Sequence, residues 1–205
     1  MVINWIPLLS GLFFGLIPPR LLINSECRFL PFDRLWRRVV PKDTDLRKNR
    51  RRWWKLPLVW IDPARGFACA TFLKASFGLV PHATGWARFE PLLATGLLLL
   101  IVLWMQTRDR IHAGETISPS SFLGGMMLAL LPVVVACSAI VIGVATAIAM
   151  NSFAAGYVVA TVTTLAIGYP FLGRSPWLPL YGLLVALPLV LNWLRRTTLV
   201  MPIRS

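Results

Sequence analysis

A long stretch without a charged side chain constrains the fold of this chain more than any other feature. No Asp, Glu, Lys or Arg occurs between Ser121 and Gly173, in a sequence of 205 residues with a mean hydropathy of +0.68. A soluble globular domain carries about 25% charged residues, whereas this chain has 14%. The composition therefore predicts an integral membrane protein, and it excludes a disordered chain, which would be poor in apolar residues.

The charge of the chain, a net +13, is divided unevenly along the sequence. Residues 1–90 contain 15 Lys and Arg against 6 acids, whereas residues 91–205 contain 6 against 2. This division predicts three regions. They are an apolar N-terminal segment at 1–19, a basic cytoplasmic and membrane-interface region at 20–89, and a transmembrane helix bundle with a short basic tail at 90–205.

Four segments of the C-terminal half are long and apolar enough to be membrane spans. A helix that crosses the hydrocarbon core needs about 20 apolar residues, and the candidates are 91–107, 122–149, 153–173 and 177–194. The second would be about 42 Å long if straight, so we expect it to tilt, to kink at Pro132 or to project beyond the bilayer. The predicted fold is an all-α integral membrane protein, a bundle of four transmembrane helices.

Two apolar segments of the N-terminal half are shorter or interrupted by charges. Residues 1–19 are uncharged, and we expect them to form a fifth span rather than a helix in the membrane interface. Residues 56–81 are interrupted by three charges, each of which costs about 2.5–3.5 kcal/mol near the centre of a span. We therefore predict a cytoplasmic interfacial amphipathic helix over about 63–79, with Asp62 as its N-cap.

The distribution of basic residues also predicts an orientation. Residues 20–55 contain 12 Lys and Arg against 4 acids, so the positive-inside tendency places them in the cytoplasm. Arg195, Arg196 and Arg204 place the C-terminal tail on the same side. An even number of spans must then lie between the basic region and the C-terminal tail. Four spans meet this requirement, and they place the loop at 108–121 outside. The predicted location is the cell (inner) membrane.

Small residues recur every four positions on the predicted second and third spans. Small side chains allow two helix backbones to approach closely inside a membrane, and only a short turn joins these spans. We expect the two helices to form a close antiparallel hairpin, although transmembrane helices are ordinarily rich in Ala and Gly. The residues concerned are Ala139, Gly143, Ala147, Gly156, Ala160, Thr164 and Gly168.

The densest candidate binding motif is a run of cations that includes two indole side chains. Such cations attract anionic lipid headgroups, by ~1 kcal/mol each near a charged surface, and the same composition suits nucleic acid. Its position before a membrane-seeking segment favours lipid, then a protein partner, and disfavours nucleic acid; a topology signal alone would also explain it. The run is Arg47, Lys48, Arg50, Arg51, Arg52, Trp53, Trp54 and Lys55.

The sequence shows no motif for catalysis, metal binding or a cofactor. Cys27, Cys69 and Cys137 are far apart, without a pair at ligand spacing. Neither a nucleophile elbow nor a phosphate-binding loop occurs. The leading hypothesis is a non-enzymatic multi-pass membrane protein, a scaffold, assembly or accessory subunit. The alternatives are a transporter or channel component for a neutral solute, and a lipid-modifying enzyme at the cytoplasmic membrane surface.

Overall fold

The computed structural model describes residues 2–18, 27–31, 57–78, 86, 89–108, 110–112, 115–150, 152–173 and 175–204. The described chain contains seven helices: α1 (Trp5–Leu16), α2 (Pro57–Ser76), α3 (Glu90–Gln106), α4 (Ser120–Leu130), α5 (Val133–Ala149), α6 (Phe153–Leu172) and α7 (Trp177–Arg195). It also contains six short strands: β1 (Val2–Ile3), β2 (Cys27–Pro31), β3 (Phe77–Gly78), β4 (Arg110–His112), β5 (Glu115–Ile117) and β6 (Thr198–Arg204).

The described chain is predominantly helical, as the sequence predicts, and two of its helices are candidate membrane spans. Helices α6 and α7, of 20 and 19 residues, are long and apolar enough to cross a bilayer by length and composition. Helices α1, α3, α4 and α5 are apolar but shorter, between 11 and 17 residues. Of the four predicted spans, two therefore correspond to helices that are long and apolar enough to cross a membrane.

The predicted second span is two helices, because the chain reverses direction at Leu131–Pro132. Both residues have extended backbone, which ends α4 before α5 begins. A Cβ added at Gly124 would lie 3.8 Å from the side chain of Ile140. In one continuous helix these residues would be about 24 Å apart. The expected kink at Pro132 is thus a full hairpin, since proline lacks the N–H that would continue the helix.

Helix α2 differs from the predicted interfacial helix in its limits and in its surroundings. It begins at Pro57, so Asp62 lies inside the helix and is not its N-cap. Cys69, Ala70 and Leu73 are fully buried in the main hydrophobic core. The prediction of a surface helix was wrong because it treated the charges as unpaired, whereas Asp62 forms an ion pair with Arg65.

A four-stranded sheet covers one end of the helix bundle, which we call the sheet end. The strand order is β2-β6-β5-β4, with β6 antiparallel to β2 and parallel to β5. Paired strands are about 4.8 Å apart, so they cannot lie on opposite sides of a bilayer. The prediction that the loop at 108–121 is opposite the C-terminal tail was therefore wrong, because the hairpin at Leu131–Pro132 adds one reversal of the chain.

The other end of the bundle, which we call the opposite end, is marked by the pairing of β1 with β3. The backbone N–H of Asn4 donates to the carbonyl of Ser76 at 2.8 Å. Helix α1 therefore begins where α2 ends, and the two helices are antiparallel. Leu73 packs against Gly11, and Cys69 packs against Gly15. The residue numbers therefore fall along α2 as they rise along α1, which confirms that the two helices are antiparallel.

Helices α2 and α4 touch backbone to backbone through two glycines. A Cβ added at Gly66 would overlap the carbonyl oxygen of Phe122, and one added at Gly125 would overlap the carbonyl oxygen of Pro63. At these two glycines the backbone of one helix therefore lies directly against the backbone of the other, without a side chain between them. This contact fixes α4 against the charged part of α2.

We predict that Gly66→Ala and Gly125→Ala each destabilise the protein by about 3 kcal/mol, because the new methyl group has no space to enter. Gly124→Ala is the matched control, since its Cβ would meet only Ile140 at an ordinary contact distance. The midpoint of thermal unfolding in mild detergent measures the effect. Equal midpoints for Gly125→Ala and Gly124→Ala would contradict the close crossing.

Candidate functional site

A buried ion pair on α2 is the centre of the most polar cluster inside the described bundle. Arg65 Nη1 donates to Asp62 Oδ1 at 2.6 Å, and the side chains of Arg65 and Asp62 are only 5% and 9% exposed. Their spacing of three residues places both on one face of the helix. A buried charge is costly unless it is paired and hydrogen-bonded, and each of these side chains supplies the partner of the other.

Arg65 also binds the C-terminal end of α1. Its Nη2 donates to the carbonyl of Phe14 at 3.3 Å and to the carbonyl of Ile17. The last carbonyls of a helix lack helical partners and carry a partial negative charge. A guanidinium group at this position satisfies these acceptors and interacts favourably with the helix dipole.

Side chains from α3 and α4 complete the cluster. Gln106 Nε2 donates to the carbonyl of Gly15 and, at 3.0 Å, to that of Ile17. The guanidinium carbon of Arg65 lies 5.5 Å from the centre of the Phe122 ring, in a cation–π contact. Four helices therefore contribute to the cluster, and Arg65 and Gln106 share the carbonyl of Ile17 as an acceptor. Within the described chain, Arg65 Nε is the buried side-chain polar atom that has no hydrogen-bond partner.

The arrangement of this cluster suits a structural clamp better than a reaction centre. The sequence offers Asp62, Arg65, Lys74, His82 and Glu90 as a candidate group for lipid chemistry. Lys74 is exposed at the opposite end, about 13 Å along α2 from Arg65, and His82 lies outside the described residues. Asp62 and Arg65 do meet, but they form hydrogen bonds to each other, and Arg65 also donates to the backbone carbonyls of α1.

Gln106 and the carbonyls of α1 are the members of the cluster that sequence reasoning missed. The spacing of Asp62 and Arg65 is visible in the sequence, where it identifies an acid and a base three residues apart. Backbone carbonyls carry no sequence signal, and one glutamine near the end of an apolar segment is not distinctive. The apolar run of α1 ending shortly before Pro18 and Pro19 is the one hint that its last carbonyls need outside donors.

We predict that Arg65→Met lowers stability by about 3–5 kcal/mol, because it leaves the Asp62 carboxylate buried without a partner and frees the α1 carbonyls. Asp62→Asn should cost less, because Arg65 loses its counter-charge but keeps its bonds to the α1 carbonyls and can still donate to the amide oxygen. Unfolding midpoints in detergent compare the two variants. A larger loss for Asp62→Asn than for Arg65→Met would show that the bonds to α1 contribute little.

The predicted small-residue stripes lie in the contact between α5 and α6. A Cβ added at Gly143 would be 2.9 Å from the Cβ of Ala160, and one added at Gly156 would be 2.7 Å from the Cβ of Ala147. Ala139 and Thr164 are fully buried. Gly168 instead packs chiefly against Leu178 of α7. The two helices are antiparallel, with their backbones in close approach.

The sheet end carries a second polar arrangement, built on Trp104. The guanidinium carbons of Arg108 and Arg195 lie 5.7 Å and 5.9 Å from the centre of the Trp104 ring. Arg195 Nη1 also donates to the carbonyl of Thr107 at 2.8 Å, which ties α7 to the end of α3. Beneath the sheet, Thr197 donates to Asn192 Oδ1 at 2.8 Å.

The basic run predicted to bind lipid or a partner, residues 47–55, lies outside the described residues. The described chain stops at Pro31 in β2 and resumes at Pro57 in α2. Strand β2 belongs to the sheet, and α2 starts on the same side of the bundle, beyond Arg65. Pro31 and Pro57, the described residues on either side of the stretch at 32–56, therefore both belong to elements at the sheet end.

The described part of the chain contains no metal centre, and the pocket between two of its helices is small. No group of three or more His, Cys, Asp or Glu side chains converges among the residues described. An apolar pocket between α4 and α7, lined by Met126, Leu130, Tyr181 and Leu184 among others, has a volume of about 10 Å³. That is room for one water molecule, so this pocket is too small for a cofactor.

Comparison of the chain with protein-family models, curated proteins and solved structures finds no match in any of the three. The class that the fold defines is a helical protein with two helices able to cross a membrane.

Proposed function

We propose that the protein is a non-enzymatic multi-pass membrane protein, a scaffold, assembly or accessory subunit whose sheet end faces the cytoplasm. In this proposal every described helix leads from one face of the membrane to the other; α3 and α5 join α6 and α7 as spans, and α4 is the short return segment between α3 and α5. At 17 residues each, α3 and α5 are at the short limit for crossing the hydrocarbon core. The single observation that carries the proposal is the collection of cations at the sheet end, beside an apolar exterior.

The exterior of the bundle supports a lipid environment. Large apolar side chains that are more than a third exposed occur on all seven described helices. On α3 they form one stripe along the helix, Leu93, Leu97, Ile101 and Trp104. A helix on the surface of a soluble protein would place polar residues on such a face. These exposed apolar side chains are compatible with contact with lipid tails.

Exposed tryptophans at both ends of the bundle are consistent with two membrane interfaces. Trp104 and Trp193 lie at the sheet end, and Trp5 and Trp86 are exposed on the part of the chain that leads to or from the opposite end. Indole rings prefer the headgroup level, because they combine an apolar body with one N–H donor. The same side chains are hard to explain on the surface of a soluble protein.

The charge of the two ends supports the orientation. The described cationic side chains at the sheet end are Arg108, Arg195 and Arg196, and the strands of the sheet also contain Arg28, Arg110 and Arg204 in their sequence, whereas the described cation at the opposite end is Lys74. Outside the described residues, the stretch at 32–56 contributes ten more Lys and Arg between two segments of the sheet end, whereas Arg88 and Arg174 adjoin the opposite end in the sequence. The positive-inside tendency therefore favours a cytoplasmic sheet end.

A surface this basic suits anionic lipid headgroups or an acidic protein partner. Each cation near an anionic membrane surface contributes about 1 kcal/mol, and the run at 47–55 supplies six of them. The paired and buried state of Asp62 and Arg65 gives no support to the alternative of a lipid-modifying enzyme. No specific observation favours a transporter for a neutral solute.

Thiol labelling in intact cells tests the orientation. Cys69 is fully buried, so single cysteines are introduced at exposed positions after replacement of Cys27 and Cys137. We expect an impermeant reagent to label Ala75→Cys in intact cells, and to label Arg196→Cys and Arg108→Cys only after the membrane is opened. Labelling of Arg108→Cys but not Arg196→Cys in intact cells would restore the topology predicted from the sequence and contradict this one.

The lipids and proteins that co-purify in mild detergent test the function. Replacing the six cations of the run, Arg47, Lys48, Arg50, Arg51, Arg52 and Lys55, by Gln should remove most of the bound anionic lipid or the protein partner. The control variant, Trp53→Ala with Trp54→Ala, keeps the charge and should retain more. An unchanged lipid and protein content in the Gln variant, with its orientation preserved, would refute the proposal.

A further inference from the structure

Helix α1 connects the two ends of the bundle with few residues. Its 12 residues extend over about 18 Å. At its start, the backbone N–H of Asn4 donates to the carbonyl of Ser76, the last residue of α2. At its end, the carbonyl of Ile17 accepts from Gln106, which is the last residue of α3 and leads into the sheet. Along α1 the opposite end and the sheet end are therefore only about 18 Å apart.

Helices α6 and α7, by contrast, have the length of ordinary membrane spans. Their 20 and 19 residues extend over about 30 Å and 28 Å, which matches a hydrocarbon core of about 30 Å. On α7, the indoles of Trp177 and Trp193 are 16 residues apart, or about 24 Å. The surface of α1 is therefore shorter than that of α6 and α7 by about 10 Å.

The tryptophans beside α1 are closer together than those of α7. Trp104 lies on α3 between Val102 and Gln106, and both of these residues contact Gly15 of α1. Trp5 precedes Gly15 by ten residues, or about 15 Å along the helix. Both indoles are exposed, Trp5 by 64% and Trp104 by 39%. Since indoles prefer the headgroup level, their spacing indicates that the two headgroup layers approach each other here.

The outer surface of α1 is apolar over its whole length and ends abruptly. Helix α1 contains no charged residue, and it exposes Ile6, Leu9, Phe13 and Leu16. Ile17 leaves the helical conformation with a ψ of 118°, and proline follows, so the helix does not continue. Strands adjoin both ends of the helix, and the unpaired backbone groups of strand edges cannot be exposed to hydrocarbon. Hydrocarbon beside α1 can therefore be no thicker than the helix is long.

A bilayer accommodates a short apolar surface by becoming thinner around it. We propose that the protein thins the bilayer locally along α1, to about 60% of its ordinary thickness. The partner of this surface is the acyl chains of phospholipids, whereas the lipids beside α6 and α7 keep their ordinary packing. This inference rests on the proposed function, because it requires that α1 faces lipid in an inserted protein.

The membrane depth of spin labels tests the thinning. Single cysteines are introduced into the full-length protein after replacement of Cys27 and Cys137, labelled, and reconstituted into vesicles of phosphatidylcholine and phosphatidylglycerol with 18-carbon chains. The accessibility of each label to oxygen, relative to a water-soluble nickel chelate, measures its depth. The exposed positions are Ile6→Cys, Leu9→Cys, Phe13→Cys and Leu16→Cys on α1, with Val158→Cys, Val162→Cys, Leu165→Cys and Tyr169→Cys on α6 as the matched control.

We expect the depth on α1 to rise from Ile6 to Leu9 and to fall again from Phe13 to Leu16, with a maximum of about 9 Å, half of the helix length. On α6 the maximum, at Val162, should be about 14 Å. A depth that increases steadily from Ile6 to Leu16 would overturn the inference, because α1 would then end inside a bilayer of ordinary thickness. Low accessibility to both reagents at all four positions of α1 would also overturn it, because protein would then cover this surface.

The length of the acyl chains separates local thinning from a thin bilayer around the whole protein. In vesicles with 20-carbon chains, the depth at Val162 should increase, whereas the depth at Leu9 should stay at about 9 Å, because the contacts at both ends of α1 fix the length of its surface. An equal increase at both positions would contradict local thinning. The thiol-labelling experiment remains separate: failure of insertion refutes the proposed function, whereas an ordinary depth profile on α1 in an inserted protein refutes only the thinning.

Discussion

The C-terminal end of α1 imposes the requirement on which the rest of the bundle depends. Its last carbonyls are buried among other helices, and buried acceptors need donors. Arg65 and Gln106 supply them from two different helices. Because a charged donor is costly to bury alone, Arg65 requires Asp62, and the pair then fixes the rotation of α2 about its axis. One unsatisfied helix end thus determines which face of α2 lies inside.

The orientation of α2 has consequences for α4 and for the sheet. With Arg65 turned towards α1, the neighbouring Gly66 faces α4, where its missing side chain allows backbone contact with Phe122. The ring of Phe122 in turn covers the guanidinium group. Helix α4 therefore starts beside the ion pair and leads from there to the reversal at Leu131–Pro132. This reversal returns the chain, through α5, to the sheet end.

The parts of this fold that the sequence predicts are those that depend on composition and on local spacing. Long uncharged segments predict α6 and α7, and the four-residue spacing of Gly143 and Ala147 places them on one face of α5. The reversal at Pro132 is not visible, because a proline in an apolar segment is compatible with a kink as well as with a turn. The choice depends on contacts such as that of Gly124 with Ile140, which are distant in sequence.

The charges of α2 show a second limit of sequence reasoning. A cost of about 2.5–3.5 kcal/mol for each charge applies to a side chain without partners, and it led to the prediction of a surface helix. Charge-assisted hydrogen bonds contribute about 1.5–3 kcal/mol each, and Arg65 makes three of them. Two of the three acceptors are backbone carbonyls, which every residue has and which no pattern reveals.

The reversal at Leu131–Pro132 also changes how the basic residues are interpreted. In the topology predicted from the sequence, Arg108 and Arg110 are exceptions to the positive-inside tendency, because their loop is placed outside. Pairing of β5 with the first residues of β6 places that loop at the same end of the bundle as the C-terminal tail, so the proposed orientation contains no such exceptions. Strand pairing places these basic segments at one end of the bundle, and their charge supports the proposed cytoplasmic side of that end. In the proposed function this basic face has two roles, to keep one end of the protein in the cytoplasm and to bind anionic headgroups or an acidic partner there.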